Sequence, residues 1–154
     1  MSMAGKVISW QFLSFEALSK QQLYELLRLR SEVFVVEQAC VFQDMDGADL
    51  VAMHLLGTID GQLAAYARCF AAGEKFAEAS IGRVITCGAL RGSGAGHLLM
   101  REALAHALQY WGAQPVRIGA QARLENFYQQ HGFSNTGATY IEDGIAHIEM
   151  LRPA

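Results

Sequence analysis

The sequence predicts a single mixed α/β domain built around a central sheet. Three observations carry this. The apolar, strand-like runs 51–59 and 62–70 are separated by Asp60-Gly61, a pair suited to the type I′ turn of a hairpin. A second such pair, Asp143-Gly144, precedes a last strand over residues 145–151. Between the hairpins, residues 81–86 run as a strand towards Arg91-Gly92-Ser93-Gly94-Ala95-Gly96 and then into helical spacing as far as Tyr110.

Taken in order, residues 7–12 alternate and read as a first strand. Ser19-Lys20-Gln21-Gln22 is a capping box that opens a helix. Leu23, Leu26, Leu27, Val33 and Phe34 recur near helical spacing and bury one face; the helix fades near 35–38 and leaves Glu37 at its end. Residues 40–50 form an acidic loop, with Asp44, Asp46 and Asp49 around Gly47. Its glycine falls too early for a calcium loop, and Leu55 stands where the terminal glutamate is needed. The loop is expected as a solvated turn that can wall a substrate site. Its local charge favours a cationic acceptor.

Residues 71–79 are a loop between strands. The helix over 94–110 places Leu98, Leu99, Ala103, Leu104 and Leu108 on its buried side; Gly112 ends it and Pro115 precedes a strand over 116–121. A short helix over 123–131 is closed by Gly132. Phe133 starts another extended segment, to which Tyr140 can belong.

A chain of 154 residues with a formal charge of −3 and a pI near 5.9 has no general attraction for nucleic acid or anionic lipid. No apolar stretch is long enough to span a membrane, and the first residues lack the apolar run of a signal peptide. A soluble, cytoplasmic protein is expected. Cys40, Cys69 and Cys87 have no CxxC spacing and read as thiols of a reducing compartment. Cys87 beside the glycine-rich run raises a nucleophilic role, against which a structural one is favoured. His54, His97, His106 and His131 are dispersed, with no metal-binding spacing.

The glycine-rich run gathers backbone N–H groups at the positive end of a helix, with an arginine beside them, which suits an anion such as pyrophosphate. It is not a P-loop, since no Lys-Ser/Thr follows the second glycine. A dinucleotide fingerprint fails too, because the third residue after Gly94 is His97. The pattern is RxxGxG, from Arg91, Gly94 and Gly96.

With the strand before it and the long helix after it, this run resembles motif A of the GNAT N-acetyltransferase superfamily. Gln121, Asn126-Phe127-Tyr128 and Gly132-Phe133 resemble its motif B. The segments FVVEQ, QDMDG, YARC, IGRVI, ALRG, GAQA, NFYQ and EDGIAHI look like the ElaA-like branch. The resemblance covers nearly the whole chain. It implies the GNAT acyl-coenzyme A N-acyltransferase fold, acetyl-coenzyme A as co-substrate, no metal, and a primary amine of a small molecule or peptide as acceptor. By resemblance alone, a homodimer is also implied.

Coenzyme-binding roles follow for Arg91, Gly92, Ser93, Gly94, Ala95 and Gly96 at the pyrophosphate. The backbone of Val84, Ile85 and Thr86 is implied to pair with the pantetheine arm. Tyr128 would assist departure of the thiolate by a proton or a hydrogen bond, although a core tyrosine is the plainer role. Asn126 would bind the pantetheine arm or simply cap its helix. Many relatives place a carboxylate on the strand before the cradle, whereas Arg83 stands there here. The candidate bases are therefore His147 and Glu37. Their plainer roles are a structural strand histidine and an exposed helix-end carboxylate. Arg68 and Arg83 lie in apolar strands and need partners if buried, with Glu37 or Asp46 available. The rival function is a non-catalytic acyl-coenzyme A sensor or interaction module, favoured by that missing strand carboxylate.

Overall fold

The computed structural model describes residues 6–154. Residues 1–5, part of the amino-terminal stretch inspected for a signal peptide, lie outside the described residues. The first sheet sets β1 (Ser9–Ser14), β2 (Met53–Ile59), β3 (Gln62–Phe70) and β4 (Ser80–Thr86) side by side in chain order. The second holds β5 (Val116–Gln121), β6 (Ser134–Glu142) and β7 (Ile145–Arg152), with β7 in the middle. The neighbouring strands within each sheet are antiparallel.

The central sheet is thus realised as two sheets that meet at one place. Ala79 bridges Val116 in parallel, and the Arg117 N–H donates to the Ala79 carbonyl at 2.8 Å. Beyond that junction β4 and β5 run in the same direction without pairing. Both hairpins turn as the Asp-Gly pairs require: Asp60 and Gly61 have φ of 52° and 78°, and Asp143 and Gly144 have 51° and 76°.

Helix α1 (Lys20–Arg30) starts at the capping box, where the Gln22 N–H donates to Ser19 Oγ at 3.0 Å and the Ser19 N–H to Gln22 Oε1 at 2.9 Å. It buries Leu26 and Leu29 against Leu56, Tyr66 and Ile85 on one face of the first sheet. Helix α2 (Ala95–Trp111) covers the other face, packing Leu99, Met100 and Ala103 over Leu55, Ala67 and Cys69. The period of two along β2 and β3 decides which helix each side chain meets. Each fully buried leucine contributes about 2 kcal/mol.

Two elements differ from expectation. The first helix ends at Glu37 as expected, but after Arg30 it widens into a π-helical segment, Ser31–Glu37. The third helix, α3 (Glu125–Gln129), is shorter than the predicted 123–131 and follows a 3₁₀ turn, Ala122–Leu124. Gly132 adopts φ of +91°, and the Phe133 N–H returns to the Tyr128 carbonyl at 3.3 Å, which closes the helix early.

The acidic loop is not a solvated turn. Asp44 and Asp49 are buried because three arginines from α1, β3 and β4 converge on them. Arg30 and Arg68 are themselves fully enclosed. The six side chains form a closed ring of alternating charge, in which Arg30 joins Asp44 (2.8 Å) to Asp49 (2.7 Å). Arg68 then joins Asp49 to Asp46, both at 2.9 Å. Arg83 closes it from Asp46 (3.7 Å) to Asp44 (2.8 Å). Asp46 was an expected partner of Arg68 and Arg83; Glu37 pairs elsewhere. The loop's negative charge is consumed internally, which removes the reason to expect a cationic acceptor from it.

Candidate active site

The gap between β4 and β5 opens into a cleft of about 720 Å³, a size suited to a small-molecule site. β4 is the last strand of its sheet, so its outer edge carries unpaired backbone groups. Its shape has a local cause. Tyr66 pairs with Ile85 and Arg68 with Gly82, so Arg83 and Val84 together oppose Ala67 in a β-bulge. Arg83 takes φ of +48°, and its guanidinium is tied to Asp44 and lies over Phe34 and Phe42. The charged ring thereby fixes the bulge, and the bulge bends the strand away from β5.

Strand alternation assigns the edge groups. The Cys87 N–H donates to the Ala64 carbonyl at 2.8 Å, so Thr86 and Val84 present their N–H and C=O to the cleft while Ile85 bonds to β3. All three residues line the cleft, but the free edge belongs to Val84 and Thr86.

The glycine-rich turn sits where this edge ends. Gly92 and Gly94 have φ of +80° and +83°, a region that side chains other than glycine enter only with strain. Gly94 is the N-cap of α2, and no side chain caps that end, so the first N–H groups of a seventeen-residue helix keep their donors. Ser93 Oγ turns back to the Leu90 carbonyl, Ala95 is buried, and Gly96 lies against the Phe127 ring. Arg91 lines the cleft and reaches across to Glu37 at 2.6 Å, tying the end of the π-helical segment to the turn.

Tyr128, His147 and Glu37 all line the same cleft as Thr86 and Arg91. Asn126 does not; it is exposed on α3, and its carbonyl accepts from Gln130. Tyr128 is held edge-on between Phe127 and Phe133, and burial pushes its phenol up to about 12. Its hydroxyl has no hydrogen-bond partner among the described residues. Among the same residues the buried, partnerless side-chain polar atom is Arg68 Nε alone. The Tyr128 oxygen is therefore open to the cleft.

His147 Nδ1 contacts the Ile145 carbonyl at 2.8 Å. A carbonyl only accepts, so Nδ1 carries a proton, and in the neutral ring the lone pair is on Nε2. Nε2 lies 3.9 Å from Glu142 Oε2. The ring stacks on Tyr140 with centroids 5.2 Å apart. Tyr140 in turn lies so close over Gly119 that a Cβ there would meet its hydroxyl. Gly119 thus supports the Tyr140–His147 stack. The sequence reasoning missed Arg30, Tyr140 and Glu142. Arg30 had a signal, since it falls four residues after Leu26 on the apolar face of α1. Tyr140 and Glu142 had none beyond their place on a predicted hairpin.

Below the ring, His54 links the loop to the core. Its Nε2 donates to the Asp49 carbonyl at 2.9 Å and its Nδ1 accepts from the Tyr66 hydroxyl. Burial lowers the His54 pKa against the pull of Asp49, so the ring is neutral. Among the described residues no group of three His, Cys, Asp or Glu side chains is gathered as metal ligands. No described helix is long and apolar enough to cross a membrane, and no disulfide joins the cysteines.

The sequence matches the model of the acetyltransferase (GNAT) domain over residues 16–152. It is 47% identical to protein ElaA of Escherichia coli over 148 residues, covering 95% of this chain and 97% of that one. The crystal structure of Escherichia coli ElaA superposes with a TM-score of 0.87, covering 95% and 99% of the two chains. That of an acyl-CoA N-acyltransferase from Pseudomonas aeruginosa gives 0.90 at 43% identity, with the same coverage. The chain belongs to the GNAT acetyltransferase family, has its acyl-CoA N-acyltransferase fold, and is similar to ElaA in both sequence and structure.

Proposed function

We propose that the protein transfers an acetyl group from acetyl-coenzyme A to a primary amine, by direct attack within a ternary complex. The observation that carries this is the convergence of Thr86, Arg91, Tyr128 and His147 on the one cleft that opens between β4 and β5. The residues present fit the coenzyme. The free edge groups of Val84 and Thr86 suit an extended arm of alternating amides. The uncapped start of α2, with Gly92 and Gly94 before it, suits a diphosphate.

When bound, acetyl-coenzyme A supplies an electrophilic thioester carbonyl. The edge N–H groups at the bulge are placed to polarise it. His147 Nε2 accepts the proton that the attacking amine loses, and Glu142 stabilises the imidazolium that results. Glu37 is the other candidate base; its pairing with Arg91 supports an anchoring part more than a proton-accepting one. Tyr128, whose hydroxyl is open to the cleft, would serve the sulfur as the carbon–nitrogen bond forms and the carbon–sulfur bond breaks. A phenol near 12 gives up its proton to a thiolate of ordinary pKa, about 8.5, only uphill. A hydrogen bond from Tyr128 is therefore the better supported of its two roles, and the thiolate takes its proton from solvent or from the imidazolium. The cytoplasm is the proposed setting, supported by the reduced, buried thiol of Cys69.

The rival, a non-catalytic acyl-coenzyme A module, has one observation in its favour: β4 carries Arg83, engaged with Asp44, and no carboxylate. Incubation with acetyl-coenzyme A and a panel of amines, followed by free thiol, separates the two. Thiol release that Tyr128→Phe reduces, with coenzyme affinity unchanged, supports the enzyme. Tight coenzyme binding with no thiol from any amine supports the sensor.

A further inference from the structure

With the aspartates of the acidic loop neutralised, the cleft keeps charged side chains of both signs. Lys75 lines it from the loop between β3 and β4, and Glu142 and Asp143 line it from the tip of the β6–β7 hairpin. The Lys75 loop is braced, with Gly73 N–H to the Phe76 carbonyl at 2.8 Å and Glu74 N–H to that of Ala71 at 3.2 Å. Its ammonium lies 6.0 Å from the centroids of both Phe70 and Phe76. Among the described residues no carboxylate lies within ion-pair distance of it, whereas Arg83 is paired with Asp44 and Arg91 with Glu37. Partial burial and the fields of Arg68 and Arg83 lower its pKa, and Glu142 only partly opposes them. An anion there relieves that field. On the β6–β7 hairpin Glu142 stands beside His147 Nε2, the position proposed for the amine.

From a cation without a carboxylate partner and a carboxylate beside His147, both lining one cleft, we infer that the acceptor is a zwitterion of the amino-acid or short-peptide class. Its amine lies at His147 and Glu142, and its carboxylate at Lys75. This rests on the acyl-transfer reading and names the acceptor within it. Arg123, the other cleft cation without an acidic partner, is engaged by Gln121, to whose Oε1 its Nε donates at 3.1 Å.

The test compares a set of α-amino acids and dipeptides with their C-terminal amides, in acetyl-coenzyme A assays of free thiol. The acids are expected to exceed their amides in kcat/KM by about tenfold, the effect of one charge-assisted contact. Lys75→Met is expected to remove that preference by raising KM for the acids about tenfold more than for the amides, and Lys75→Arg to restore it. Equal rates for acids and amides, or an equal loss for both in Lys75→Met, overturn the proposal while the acyl-transfer reading stands. Thiol release from no amine overturns that reading, and this proposal with it.

Discussion

Along β4 the cleft is walled by main chain, the edge groups of Val84 and Thr86 and a bulge, and the chain runs on from there through Arg91 into two left-handed glycines and the uncapped start of a helix. Across it, from the β6–β7 hairpin to the π-helical segment, the wall is side chains: His147 on Tyr140, Glu142, Phe42 and Glu37, backed by the ring of three arginines and three aspartates. A backbone wall recognises what every ligand of one kind shares, such as a diphosphate and a chain of amides. A side-chain wall can be changed one residue at a time, and is where acceptor choice is decided. The two walls should accordingly fail in different ways when they are altered.

The largest effect belongs to the ring behind the side-chain wall. Asp49→Ala leaves Arg30 and Arg68 enclosed with an uncompensated charge, and is expected to cost about 3–5 kcal/mol in urea unfolding. A loss below about 1 kcal/mol would show that the ring is not a buried unit. On the backbone wall, Gly94→Asp forces a side chain into φ of +83° and sets a carboxylate at the start of α2. Coenzyme affinity by calorimetry should fall about a hundredfold, equivalent to about 2.7 kcal/mol, while the melting temperature moves far less than in Asp49→Ala. Unchanged affinity would remove the diphosphate from this turn.

Tyr128→Phe should lower kcat about ten- to a hundredfold with coenzyme affinity retained, the signature of a group that acts only as the thiolate leaves. A rise in KM alone would make it a packing residue. Acid stability separates the walls again. His54 has a lowered folded pKa, so the stability it contributes is complete above about pH 6.5 and declines as pH falls below that value. Burial would raise Asp46 and Asp49, but the arginine contacts outweigh it and hold both below the ordinary carboxylate range. Their contribution is complete above about pH 4 and is lost on further acidification. Unfolding free energy should therefore drop in two stages; a flat profile between pH 7 and 5 would contradict the neutral, buried His54. The smallest effect is expected from Glu37→Gln. Its half-exposed pair with Arg91 is worth no more than about 1 kcal/mol, so stability should hardly change.

The difference between the walls also explains what could be read in the sequence. Asp60-Gly61, Asp143-Gly144, the Ser19 capping box and the RxxGxG run are local. Each is decided by backbone conformations that few residues tolerate, so each announces itself within a few positions. The side-chain wall is assembled from distant segments. Asp44 looked solvated because its partners are Arg30 and Arg83, one in a helix and the other thirty-nine residues away. The Tyr140–His147 stack depends on Gly119 in another strand, and nothing local marks that dependence. Arg83 was legible as an anomaly in an apolar strand, but its left-handed conformation at the bulge was not.

Amide hydrogen exchange, read residue by residue with and without coenzyme A, tests the division most directly. If the backbone wall holds the coenzyme, the N–H groups of Val84, Thr86, Gly92, Gly94, Ala95 and Gly96 gain protection, and those along the exposed strand β6 do not. Protection that leaves both β4 and the start of α2 unchanged would contradict it.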